Sequence, residues 1–354
     1  MKSFIGEPVM SNYNKKTVFI GIDVHKKTYS VSCVSNNEIL KQSSMPACPE
    51  KLIKYINKHF PSYTRQTAYE AGFCGFALHR ELTENGIYNQ VINPASIEVA
   101  ARDRVKTDKR DSLKIAVQLS REQISGIHVP SRERESFREL TRLRTTLIQD
   151  KNRLGNRIKS MLYRLGKIKH NEAPRISDKW VQSVLKDEYD EYSSFAIESL
   201  GNLWLNVAKE IDIIDVRIKK QAANDLPMEC VYRSAPGIGP IHARILANEL
   251  EDMSHFKNEK KLFSYTGLTP SEYSSGEHVR QGHISRQGRS ILRKVLVQAS
   301  WVAIKADSSL REIYERISLT SGKKKAIIGI ARRLIGRIRA CFVNGTFYQV
   351  AEKH

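Results

Sequence analysis

Four acidic residues in the first third of the chain, Asp23, Glu70, Asp108 and Asp111, could act together. Asp23 ends the apolar run Val18-Phe19-Ile20-Gly21-Ile22, and Glu70 ends Thr67-Ala68-Tyr69, so both stand where buried strands would stop. Asp108 and Asp111 open the apolar-periodic stretch Leu113-Ile115-Ala116-Leu119, and a spacing of three puts them on one side of a helix start. Carboxylates gathered this way repel one another unless cations lie between them. Hard oxygen ligands suit Mg²⁺ or Mn²⁺, ions that stabilise phosphoryl transfer. Taken singly, each acid has a plainer role. Asp108 could be a helix N-cap with Asp111 closing a capping box, Asp23 a turn residue and Glu70 a surface residue. The strand–strand–helix order of all four favours a metal site, and with it strand chemistry on nucleic acid.

Composition points the same way. Within 354 residues, 58 Lys and Arg face 38 Asp and Glu, a formal charge of +20 that calls for a polyanionic partner. A membrane surface is the competing polyanion. It is disfavoured because the chain has no run of 18 apolar residues and no signal-peptide pattern. Cys33, Cys48, Cys74, Cys230 and Cys341 are scattered and odd in number, with no Cys-x-x-Cys pair. That argues against zinc or a disulfide framework and fits a reducing cytoplasm.

The elements that must position the acids are readable as an α/β domain. Strands are predicted at 17–23, 28–35, 38–43, 65–70 and 88–92, with Asn36-Asn37 as a hairpin turn, and helices at 49–59, 74–85 and 110–121. Three strands followed by alternating helices and strands match a ribonuclease-H-like fold, ending near Pro130. Residues 131–168 then repeat Leu140, Leu143, Leu147, Leu154, Ile158, Met161 and Leu165 as one long amphipathic helix. A second helix, 194–222, carries Leu200, Leu203, Val207, Ile211, Ile214 and Ile218. The pair would form an antiparallel hairpin or a coiled coil between subunits. The leucines are core; the basic outer face, including Arg142, Arg153 and Arg157, could follow a phosphate backbone.

A third region reads as mainly helical. Ser234-Ala235-Pro236-Gly237-Ile238-Gly239-Pro240 before an apolar helix resembles a helix-hairpin-helix element, in which backbone N–H groups at Gly237 and Gly239 would meet phosphate oxygens. Further on, Ser274-Ser275-Gly276 lies in a loop flanked by Arg280, Arg286 and Arg289, with Arg293 in the helix that starts at Ser290. A serine there could attack a phosphodiester, provided that its proton is removed or the phosphate is polarised. Alone, Ser274 and Ser275 would be turn residues. Lys323, Lys324 and Lys325 begin a final basic helix with no acid between 321 and 340. The expected domains are 1–128, 129–228 and 229–354.

Together these residues resemble transposases of the insertion-sequence-110 type, including the 1111 subgroup. The match rests on Gly21-Ile22-Asp23-Val24-His25-Lys26, Tyr69-Glu70-Ala71, Lys106-Thr107-Asp108-Lys109-Arg110-Asp111, Pro236-Gly237-Ile238-Gly239, and Gly267-Leu268-Thr269-Pro270 through Ser275-Gly276 to Gly288. The resemblance implies that the α/β domain is RuvC-like and that Asp23, Glu70, Asp108 and Asp111 are a DEDD set holding Mg²⁺ or Mn²⁺. It also implies that Ser275 is the nucleophile, with Ser274 as the alternative register. It further implies a homo-oligomer, dimer or tetramer, that acts in a bacterial cytoplasm, at the nucleoid, on donor and target DNA under a bridge-type guide RNA from the element. Two rival readings remain: a junction-resolving nuclease using activated water, and a non-catalytic nucleic-acid-binding scaffold.

Overall fold

The computed structural model describes residues 16–97, 107–272, 281–285 and 287–351. Lys106, Ser274, Ser275, Arg280 and Arg286 lie outside the described residues. The chain divides into two compact units, Met1–Val129 and Pro130–His354.

The first unit is a five-stranded mixed sheet flanked by helices. Its elements are β1 (Thr17–Val24), β2 (Thr28–Ser35), β3 (Glu38–Pro46), α1 (Pro49–His59), β4 (Thr64–Glu70), α2 (Ala77–Glu84), β5 (Tyr88–Ile92) and α3 (Asp108–Ser120). The strand order is β3-β2-β1-β4-β5; β1, β2 and β3 pair antiparallel, while β4 runs parallel to β1 and to β5. This arrangement is consistent with the RuvC-like fold expected from the sequence. Asn36 and Asn37 both take positive φ, 51° and 65°, as a two-residue hairpin turn requires. Helix α2 begins at Ala77, three residues later than its sequence pattern predicts, because Gly75 turns left-handed (φ 56°) just ahead of it.

Strand alternation sorts the core into two layers. Val18, Ile20 and Ile22 of β1 pack with Leu52 and Ile56 of α1 and Leu78 and Leu82 of α2. The opposite face, with Phe19, Ala68 and Ile92, meets Ile115 and Leu119 of α3. Each of the buried Val, Leu and Ile side chains among them contributes about 1.5–3 kcal/mol of transfer free energy.

The second unit is largely helical. It comprises α4 (Arg132–Arg164), α5 (Asp178–Val184), α6 (Glu191–Ala223), α7 (Leu226–Ser234), α8 (Pro240–Leu250), α9 (Glu259–Thr266), the two-stranded β6 (Pro270–Glu272) and β7 (Gln281–Ile284), α10 (Ser290–Ala306), α11 (Ser308–Ser321) and α12 (Lys323–Asn344). Helices α4 and α6 form an antiparallel hairpin within the chain. Ile158 and Leu162 pack in one cluster with Ile197, Trp204 and Ala208, and, further along, Arg144 pairs with Asp215 and Arg134 with Asp225. Helix α5 has no counterpart among the predicted elements; it closes this hairpin with Val181 and Val184.

The expectation of a basic outer face on α4 needs correction. Arg142 donates to both carboxylate oxygens of Glu249 (2.8 and 3.1 Å), whose side chain is only 1% exposed. Arg138 donates to the Asn248 carbonyl (2.7 Å) and pairs with Glu251 (3.2 Å). Acids on α6 and α8, and Glu251 just after α8, therefore take up arginines that sequence counting assigns to solvent. Such bidentate pairs are stronger and more directional than single contacts. Arg153 and Arg157 remain on the exposed side. No helix among the described residues is long and apolar enough to cross a membrane.

Candidate active site

Asp23 and Glu70 lie at adjacent strand ends. In the parallel β1–β4 register Ile22 stands beside Tyr69, and the two acids follow one residue later. Phe19, Gly21 and Asp23 alternate onto the face covered by α3, as do Ala68 and Glu70 on β4. Helix α3 comes unusually close there. A Cβ added to Gly21 would lie 2.0 Å from the Ser112 carbonyl oxygen and 2.5 Å from the Ala116 nitrogen. A buried hydroxyl pair, Ser32 and Ser112 (2.8 Å), pins α3 to β2, with Gln42 donating to Ser32 and Ser112 donating to the Lys109 carbonyl.

This seating brings the start of α3 to the end of β1. Thr107, not Asp108, is the N-cap, accepting from the Arg110 N–H (3.4 Å). Asp108 is thus freed from the capping role that its sequence position allows, and the positive end of the helix favours both Asp108 and Asp111 in its first turn. Asp23, His25 and Asp108 converge, with one ligand atom from each lying within 4.8 Å of the others. His25 Nε2 is 3.1 Å from Asp23 Oδ2 and 3.3 Å from Asp108 Oδ1. Side-chain exposure rises from 21% at Asp23 to 59% at Asp108, so the group opens outward and is reachable by a large substrate.

Charge at the site is unbalanced. Burial pushes the Asp23 carboxyl up from its usual range; His25 opposes this by charge and hydrogen bond, and the Asp108 and Asp111 carboxylates push it up again. Asp111 is 18% exposed with Lys114 Nζ 3.6 Å away. A half-buried anionic group whose own charges raise a carboxyl is a fit donor set for a divalent cation. His25 carries no role in the sequence reading. Its signal was the Asp-x-His spacing, which continues the Asp23 side of the strand past its end.

The mixed sheet with this cluster at its strand ends defines a candidate metal-dependent catalytic unit. Comparison with known proteins then gives it relatives. Residues 20–166 match a transposase family of the DEDD, IS110 type, and residues 231–315 match the Transposase IS116/IS110/IS902 family. The transposase for insertion sequence element IS1533 of Leptospira borgpetersenii is 25% identical over 348 residues, 93% of this chain and 97% of that protein. The protein y4qE of Sinorhizobium fredii is 24% identical over 360 residues, covering 91% and 87%. The transposase for IS1111A of Coxiella burnetii is 25% identical over 272 residues, covering 76% and 71%. The chain therefore has a family-level match to the IS110/IS1111 group of transposases in both of its units.

In the second unit, the described residues on either side of the segment holding Ser274 and Ser275 come together. Gly267 and Gly288 meet back to back: a Cβ on Gly288 would fall 2.2 Å from the Gly267 nitrogen and 2.5 Å from the Tyr265 carbonyl. Gly267 is left-handed (φ 69°) and caps α9. The Ser285 N–H donates to the Thr269 carbonyl (2.9 Å), the Arg289 N–H to the Tyr265 carbonyl (3.0 Å), and Arg293 Nη1 to the Gly267 carbonyl (3.4 Å). Arg293 thus braces the Gly267–Gly288 contact, while the Arg289 side chain is exposed. Gly288→Ala should destabilise this unit by about 3 kcal/mol, because the clash is with backbone on two sides. Thermal unfolding of the variant checks this; an unchanged transition would show that the clasp opens freely.

The other candidate contacts divide. Gly237 is left-handed (φ 81°) and packs on α10, its Cβ position lying 2.5 Å from the Ala299 carbonyl, so packing alone requires glycine there. Gly239 faces open space. Lys323, Lys324 and Lys325 form the exposed first turn of α12, which holds no acid. Ammonium groups at the positive end of a helix cost a few tenths of a kcal/mol each, a cost that a bound anion removes.

Proposed function

We propose that this protein is a DNA transposase of an insertion sequence, cutting and rejoining donor and target DNA through a serine nucleophile under the guidance of the element's own RNA. The convergence of Asp23, His25 and Asp108, inside a segment matched by the DEDD transposase family, carries the reading. Asp23, Asp108, Asp111 and Glu70 would hold Mg²⁺ or Mn²⁺, which supplies positive charge against that developing on phosphate oxygens. The Ser275 hydroxyl, flanked by Arg280, Arg286 and Arg289, attacks phosphorus. The bond from phosphorus to the leaving nucleotide oxygen breaks, the serine proton passes to a base or water, and a phosphoserine ester conserves the energy for rejoining. Guanidinium groups bind phosphate bidentately, which suits the three arginines to hold the substrate. The lysines of α12, with Arg153 and Arg157, would carry nucleic-acid backbone, and binding would weaken steeply with salt. Self-assembly into a dimer or tetramer would bring several copies of both units to one synapse.

The test is to trap a covalent protein–DNA adduct on donor and target DNA, with RNA transcribed from the element's flanks and Mg²⁺. Wild type should form the adduct, and Ser274→Ala should retain it. Ser275→Ala and Asp108→Ala should lose it. Cleavage that survives Ser275→Ala without any adduct would instead mark a hydrolytic nuclease.

A further inference from the structure

We propose that His25 is itself a ligand of the divalent cation, adding an imidazole nitrogen to the carboxylates and biasing the site towards Mn²⁺ over Mg²⁺. This rests on the reading of the acids as the cation site and goes beyond it by adding a ligand that the four carboxylates do not include.

The geometry singles out this side chain. Its Nε2 stands 3.1 Å from an oxygen of Asp23 and 3.3 Å from an oxygen of Asp108, so one atom faces two carboxylates from different elements. Neighbouring ligands on an octahedral cation with bonds of about 2.1 Å stand about 3.0 Å apart. The two distances from the imidazole nitrogen are therefore already close to the edges of such a shell, the carboxylate oxygens and the nitrogen all lie within 4.8 Å of one another, and the ring need not travel far to bind. Nor is the ring placed by packing, since its side chain is 48% exposed. The backbone does the placing. The His25 N–H donates to the Thr28 carbonyl (3.0 Å), fixing the turn between β1 and β2 immediately after Asp23. Mg²⁺ prefers oxygen ligands and holds its waters, whereas transition-metal ions gain from an imidazole nitrogen. An imidazole in an otherwise oxygen shell therefore favours Mn²⁺.

The experiment titrates the purified full-length protein with Mn²⁺, measuring free ion by electron paramagnetic resonance and the bound ion by its electron spin echo modulation. Wild type should show coupling to an imidazole ¹⁴N, and His25→Ala should lose it. The same variant should weaken Mn²⁺ binding by about tenfold, with a smaller change for Mg²⁺ measured by competition. The other nine histidines are present in both proteins, so the difference assigns the nitrogen. Because the ring is half-exposed, unfolding of His25→Ala should match wild type, and His25→Gln provides a second comparison without imidazole. Bound Mn²⁺ without ¹⁴N coupling, in a protein whose Asp23→Asn variant no longer binds the ion, overturns the role of His25 and leaves the acids as the site. Mn²⁺ bound equally by Asp23→Asn overturns both.

Discussion

Asp23→Asn should lower DNA cleavage by on the order of 10³-fold while leaving the protein as stable as wild type, or more so. The two effects share one cause. Asp23 lies at the floor of the group, half-buried at the end of β1, and burial together with Asp108 and Asp111 raises its carboxyl above the usual range. A raised folded-state value means that the native protein holds the Asp23 proton more tightly than the unfolded chain does. Above that range, near neutral pH, the ionised carboxylate therefore subtracts from stability in the absence of a cation, and neutral Asn removes the penalty. With Asn, however, the group loses the charge that would attract the cation, although the side chain keeps its shape. The check is paired: cleavage in Mg²⁺, and thermal unfolding in EDTA, for wild type and variant. Reduced cleavage accompanied by a lower unfolding temperature would mean that Asp23 matters through the fold. Retained cleavage would remove it from the chemistry. Addition of Mg²⁺ should raise the unfolding temperature of wild type and not that of the variant, because only a protein that binds the ion in its native state gains from it.

Much of this site was legible because strands have a period of two. Once β1 and β4 were recognised as apolar runs ending in Asp23 and Glu70, parity alone put both acids on the side of the sheet away from Ile22 and Tyr69. The start of α3 was less legible. Asp108 and Thr107 are both good N-caps by type, and the choice between them depends on how the helix enters, which the sheet decides. His25 went unread because the Asp-x-His spacing puts it on the Asp23 side without marking it as a ligand; it acquires meaning from the position of Asp108, set by a helix more than eighty residues away. Arg142 shows the converse failure. Counting charges along α4 gives a basic face, but the counter-charges on Glu249 and Glu251 belong to a distant part of the chain, and pairing across such separations leaves no local trace. The α4–α6 hairpin was readable as a pair of apolar repeats, whereas α5 was too short to show a period.

Gly21→Ala should unfold or expel α3, destabilising the first unit by at least about 4 kcal/mol, more than nearly any single methyl group costs elsewhere. The reason is what the methyl would meet. Its Cβ would lie 2.0 Å from the Ser112 carbonyl oxygen and 2.5 Å from the Ala116 nitrogen, both backbone atoms, with Ile115 Cβ at 3.0 Å. No rotamer change relieves a clash with backbone, so the helix must move as a body. Ser112 and Ala116 are four apart and small, which is what lets α3 lie this close. Moving it breaks the Ser32–Ser112 contact and strips Ile115 and Leu119 from the sheet. It also carries Asp108 and Asp111 away from Asp23. The variant should therefore lose cation binding along with stability, and hydrogen exchange should quicken across 108–120 before the rest of the unit. Gly239→Ala is the matched control, for its Cβ would meet nothing within 4 Å. Gly239 is the N-cap of α8, where glycine outranks alanine, so the substitution should cost no more than about 1 kcal/mol. A Gly21→Ala protein with wild-type exchange across α3 and intact Mn²⁺ affinity would show that helix and strand stand further apart than this seating requires. The acids would then owe their convergence to something other than the contact at Gly21.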